Sequence, residues 1–191
     1  MAFVEANRLP IIEEGDVQGE MRQLYEDIKR GMNMPAVPNI LKVMANSHAA
    51  MASYWNSISA FYQHTVLPES LTAMLFYTVA KANSCQYCSA GHELTCRTLG
   101  IDEKTLDALV RDLGNVSPER IRAIVEFAVK AARDPKGLSV EDYDMVRDQG
   151  VSDEEIVEII YVAAMGNLGD TIADALKIEV DSAVTEALGR S

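Results

Sequence analysis

Cysteine, tryptophan, proline and aromatic side chains are all scarce here: three Cys, one Trp and six Pro in 191 residues, with 6 % aromatics. So few aromatics beside abundant Ala, Met, Leu and Ile count against a β-sandwich and suit packed helices. No stretch alternates apolar and polar residues with the two-residue period of a strand. Basic residues are also short, 17 against 29 acids, for a net charge of −12. That balance argues against nucleic acid or an anionic membrane as partner. No apolar run is read as approaching the roughly 20 residues that span a bilayer. Residues 1–8 lack the basic region and apolar core of a signal peptide. The expectation is a cytoplasmic, all-α protein forming one domain over residues 1–191.

Helix signals recur along the chain. Residues 1–15, with Pro10 and Gly15, read as an extended arm. Asp16 is placed to cap a helix through Met21, Leu24, Tyr25, Ile28 and Met32. Pro38 falls in the first turn of a short helix, and Ser47 starts one carrying Met51, Trp55, Ile58 and Phe61. Glu69 to about Ala82, opened by Pro68, is apolar on nearly every side and is expected to be buried. Ser84 is placed to cap a helix from about Cys85 to Gly100. Asp102, Ser117-Pro118, Ser139 and Ser152 begin four more. Gly166 and Gly169 are read as a break, followed by helices over 171–177 and 181–188. The segments 77–83 (YTVAKAN) and 161–167 (YVAAMGN) resemble each other, a weak sign of duplication.

All three cysteines lie in one short stretch. On a helix, Cys85, Cys88, His92 and Cys96 follow at steps of 3, 4 and 4 and line one stripe. Thiols at C-x-x-C spacing can close a disulfide, and an imidazole one turn on can take a proton. At a helix start the free N–H groups and the positive dipole end favour a thiolate. Cys96 lies two turns past Cys88, too far for an intrahelical bridge, and reads as packing. His48 and His64 read as surface or interface residues, and Tyr87 as a packing aromatic.

The run Leu67-Pro68 … Ala80-Lys81-Ala82-Asn83-Ser84-Cys85-Gln86-Tyr87-Cys88-Ser89-Ala90-Gly91-His92 resembles the core motif of the alkylhydroperoxidase D (AhpD)-like, carboxymuconolactone decarboxylase superfamily, in its peroxidase-related branch. The match covers residues 67–100. The resemblance implies an all-α fold, a homo-oligomer and a dithiol that reduces hydroperoxides with an external dithiol as reductant and no cofactor. It implies Cys88 as the peroxide-attacking thiol, Cys85 as the resolving thiol and His92 as part of a proton relay. The motif also places a glutamate twelve residues before the first cysteine. That position is Ala73 here; Glu69, one turn earlier on the same face, is the nearest acid on that helix.

Ala73 keeps other readings open. One is a non-catalytic oligomeric helical protein or a thiol redox sensor without the relay glutamate. Another is a metal site at Cys85, Cys88 and His92, which one straight helix cannot complete by itself. A decarboxylase-type enzyme is disfavoured, because such members do not need the dithiol.

Overall fold

Short polar side chains set several of the helix starts, and left-handed residues such as Asn33, Ser84 and Gly150 set several of the stops. The computed structural model describes residues 7–190, which form ten α-helices and no strand. The all-α expectation therefore holds. The helices are α1 (Gly19–Met32), α2 (Asn39–Met44), α3 (His48–His64), α4 (Glu69–Ala82), α5 (Gln86–Thr98), α6 (Glu103–Arg111), α7 (Glu119–Arg133), α8 (Val140–Asp148), α9 (Asp153–Leu176) and α10 (Ser182–Ala187). Contacts group them into two compact units: residues up to Thr65 with Ile172–Asp181, and Val66–Thr171 with the segment from Ser182. Composition alone suggests one.

Several expected caps are present. Ser47 accepts from the Ala50 N–H and Asp102 from the Thr105 N–H. Ser139 with Asp142, and Ser152 with Glu155, close reciprocal boxes. Asp16 does not cap; α1 begins three residues later, after Gln18. Pro38 and Pro118 occupy the N-cap position itself, because a residue without an N–H loses nothing there. In the first unit, residues 7–13 carry no regular element, residues 14–16 form a turn, and the stretch is tied down by Arg8 N–H to Leu176 O and by Ile12 N–H to Lys42 O, at 2.9 and 3.2 Å. Residues 1–6 of the arm expected over residues 1–15 lie outside the described residues.

In the second unit, α4 is the central element. Ten consecutive residues from Leu71 to Ala80 are buried, and α4 packs against α5, α6 and α7. A helix apolar all round can sit only inside other elements. Val79 of α4, Ala131 of α7 and Ala163 of α9 share one small-residue core, flanked by Ala132, Leu138 and Ile160.

The expected break at Gly166–Gly169 does not occur: α9 runs unbroken for 24 residues. A Cβ on Gly166 would stand 3.0 Å from Cγ1 of Val79, so glycine here lets two helices approach closely. Its helix-propensity cost of about 1 kcal/mol is outweighed by packing. Continuous, α9 becomes long and apolar enough to cross a bilayer by length and composition, with half of that stretch buried. That corrects the expectation that no apolar run approaches this length. Here Ile156, Ile159, Val162 and Ala163 face the core.

Replacing Gly166 with Leu should lower the unfolding free energy by roughly 1–3 kcal/mol, read by denaturant titration, because buried Val79 cannot withdraw. An unchanged midpoint would show that α4 and α9 have room to separate.

Candidate functional site

The corner between α4 and α5 fixes the first thiol. Ser84 has φ +63°, the left-handed conformation that ends α4. The Ser84 N–H returns to Lys81 O and the Cys85 N–H to Ala80 O, both at 3.0 Å, completing a Schellman turn. Ser84 in that conformation does not cap α5. Cys85 does, its Sγ accepting the Cys88 N–H at 3.3 Å. The expected start thus shifts by one residue: Cys85 is the cap and Cys88 the third residue of α5. Both are buried, Cys85 completely and Cys88 to 7 % exposure.

The group brought against these thiols is Asp170, from α9. The sulfurs of Cys85 and Cys88 and a carboxylate oxygen of Asp170 all lie within 4.8 Å of one another. Asp170 is 4 % exposed. Its Oδ2 accepts from Nδ2 of Asn83 at 2.7 Å, and the same nitrogen donates to Oδ1 of Asn167, also at 2.7 Å. Asn167 in turn donates to Ala132 O at 2.7 Å. The C-cap of α4 and the middle of α9 are therefore joined by an amide network that holds the carboxylate beside the dithiol.

Asp170 was not among the candidates read from the sequence. Two signals pointed to it. A charged residue in so apolar a helix is seldom buried without a partner. The likeness of 77–83 to 161–167 also marks Asn167, three residues before Asp170, as the counterpart of Asn83, two residues before Cys85. Ala73, where the motif has glutamate, is a buried core residue of α4. Glu69 is exposed in the first turn of that helix, a place where an acid complements the helix dipole.

His92 is half-buried, and its ring stacks on Phe76 with centroids 5.0 Å apart and planes 14° from parallel. Although some of its surface stays open, the packing around the ring lowers its pKa to about 4. Cys96 is fully buried, and its thiol is pushed up to about 12 by burial and then by the charge of Glu93. That fits a packing role. Glu93 is itself buried and clasped by Arg190 at 2.7 Å and Arg97 at 3.2 Å, which ties the C-terminal segment to α5. His48 and His64 are exposed, and Tyr87 is half-buried.

The electrostatics reverse one expectation. A helix start favours a thiolate, yet the Cys88 thiol is pushed up. The causes are hydrogen bonding to Cys85, burial, and the negative charges of Cys85 and Asp170. Two thiols and a carboxylate buried within 4.8 Å of one another cannot all be charged, so a proton is held among them.

The His92 shift has a testable sign. Its folded pKa lies below the ordinary 6.5, so as pH falls the unfolded chain takes up the proton first. Its contribution to stability is complete above pH 6.5 and is lost as pH falls through about 4. His92→Gln should flatten the dependence of the denaturation midpoint on pH across that window. An identical acid slope in the variant would rule out a ring held neutral by burial.

No protein-family model matches the chain, and no curated protein does. Among solved structures, it is similar to the AhpD core of an uncharacterised peroxidase-related protein from Ralstonia eutropha. Identity is 19 % and the TM-score 0.82, over 94 % of this chain and 95 % of that one. An uncharacterised peroxidase-related protein from a Silicibacter species is 23 % identical at TM-score 0.82, over 97 % and 96 %. The debrominase Bmp8, as a cysteine-to-alanine variant in complex with 2,3,4-tribromopyrrole, is 14 % identical at TM-score 0.77, over 96 % and 98 %. These likenesses extend over almost the whole chain, and the fold is that of the AhpD-like, peroxidase-related helical proteins.

Proposed function

We propose that the chain is a thiol-dependent hydroperoxide reductase working through the dithiol of Cys85 and Cys88, with an antioxidant role. The observation that carries this reading is the buried cluster of two thiols and the Asp170 carboxylate within 4.8 Å. Cys88, the less completely buried thiol, attacks the peroxide. Its sulfur takes the terminal oxygen as the O–O bond breaks, leaving a sulfenic acid and an alcohol. The thiol proton passes through Asp170 to the departing alkoxide, so the elevated Cys88 thiol needs no separate ionisation step. His92, one turn beyond on α5, assists proton transfer as a neutral ring. Cys85 then condenses with the sulfenic acid, releasing water and forming the disulfide. An external dithiol reduces it by exchange, for which a reducing cytoplasm is the natural compartment. Asp170 thus does from α9 what a glutamate at position 73 would do from α4.

The same reading includes a homo-oligomer. Support comes from Val157, Tyr161 and Leu168, exposed apolar residues at helical spacing on α9.

A second substrate class is favoured by the likeness to a debrominase. Two thiols can also exchange a carbon–bromine bond for carbon–hydrogen, yielding a disulfide, bromide and a proton.

The test is consumption of tert-butyl hydroperoxide with dithiothreitol as reductant. Cys88→Ser should abolish it, Cys96→Ser should leave it unchanged, and Cys85→Ser, reduced and then freed of dithiothreitol, should consume one peroxide per chain and stop at the sulfenate without forming a disulfide. Asp170→Asn should slow it by roughly 100-fold. Retained activity in Cys88→Ser would overturn the assignment. Bromide release from a bromopyrrole without peroxide consumption would replace the substrate class but keep the dithiol.

A further inference from the structure

The two thiols and Asp170 have a property that hydroperoxide chemistry does not use. We propose that the reduced site binds a thiophilic divalent cation, with zinc as the representative ion, through Cys85 Sγ, Cys88 Sγ and an Asp170 carboxylate oxygen. This concerns the same dithiol as the proposed reductase but does not depend on that activity.

A single helix supplies at most one side of a tetrahedral ion. The cysteine stretch taken alone, with His92, does not enclose one. The structure removes that objection by bringing a third donor from another helix. Thiolate and carboxylate oxygen are both zinc donors, and three protein ligands with a fourth position left for water is the arrangement of an open zinc site. Sulfurs about 2.3 Å from zinc at tetrahedral angles are about 3.8 Å apart. Donor atoms already within 4.8 Å of each other stand close to that spacing. The Cys85 sulfur also accepts the Cys88 N–H at the N-terminus of the 13-residue α5, which stabilises negative charge on it. Asn83 fixes the other partner by holding Oδ2 of Asp170 at 2.7 Å, as supporting groups do for metal-binding carboxylates.

Binding conserves charge. Zinc enters as the dication, both thiols release their protons, and Asp170 contributes its carboxylate, giving a singly negative site and two protons in solution. No electron moves. The disulfide form has no thiolate to offer, so metal occupancy and oxidation exclude one another. Zinc would hold the dithiol reduced and silent until it is withdrawn.

The experiment is titration of the reduced full-length protein with zinc against a chromophoric chelator, with cobalt as the spectroscopic substitute. Reduced wild type should take up one equivalent per chain and release protons. Its cobalt form should show sulfur-to-metal charge-transfer absorption. The disulfide form should take up none, and Cys85→Ser and Cys88→Ser should lose the charge-transfer band or bind at least tenfold more weakly. Asp170→Asn, which can still accept from Asn83, should weaken binding by tenfold or more. Bound zinc should also protect Cys85 and Cys88 of wild type from alkylation, a readout needing no variant to fold. The inference fails if reduced wild type binds no zinc, if the disulfide form binds equally well, or if Asp170→Asn matches wild type. Peroxide consumption measured in chelator separates the two readings. Activity without zinc binding sinks this one alone, whereas zinc binding without activity in chelator sinks only the reductase.

Discussion

The side-chain amide of Asn83 stands at the C-cap of α4 and spends both of its N–H bonds on α9, one on Asn167 and one on Asp170. An amide nitrogen has only two protons to give, so this group is fully committed. The arrangement of the site follows from it. With α9 held at that height, Asp170 faces the corner where α4 turns into α5 and the dithiol begins. With Gly166 one turn earlier, the two helices come close enough for the amide to reach. Losing the amide would leave a buried carboxylate short of a donor, a cost of about 1–3 kcal/mol and more for a charged group.

The site is consequently assembled by two helices far apart in sequence. The thiols belong to a local motif, and their acid comes from 82 residues beyond Cys88. This is why Ala73 does not empty the site of negative charge. The Cys88 thiol is raised mainly by hydrogen bonding to Cys85 and by burial, and the charge of the Asp170 carboxylate adds to both. The helix dipole pulls in the other direction but is spread over several N–H groups, one of which is already given to Cys85.

What could be read in advance was local. Cap residues such as Ser47, Asp102 and Ser139 announce themselves because their side chains bond backbone two or three positions away. The burial of α4 is written in its composition, and the cysteine register in its spacing. The resemblance gave the fold. What could not be read was tertiary. Gly166 carries the same letter whether it ends a helix or admits a neighbour, and only the position of Val79 decides. Taking it as a break divided α9, removed its length and hid Asp170 in a presumed loop. Cys85 as a cap was missed for a related reason: Ser84 is the better capping residue by chemistry, but the Schellman turn commits it to a left-handed conformation.

Cys85 also belongs to two helices at once. Its N–H finishes α4, and its sulfur starts α5. A sulfur shared with a second sulfur in a disulfide is a poorer acceptor than a free thiol or thiolate, so the disulfide of the proposed cycle would take the cap from α5 and leave the Cys88 N–H short of a partner. The electrons that cycle removes from the dithiol would thereby be written into the backbone. In the proposed cycle the first turn of α5 would be firm with the pair reduced and frayed with it oxidised, and a reductant would meet the disulfide where the chain has loosened to admit it.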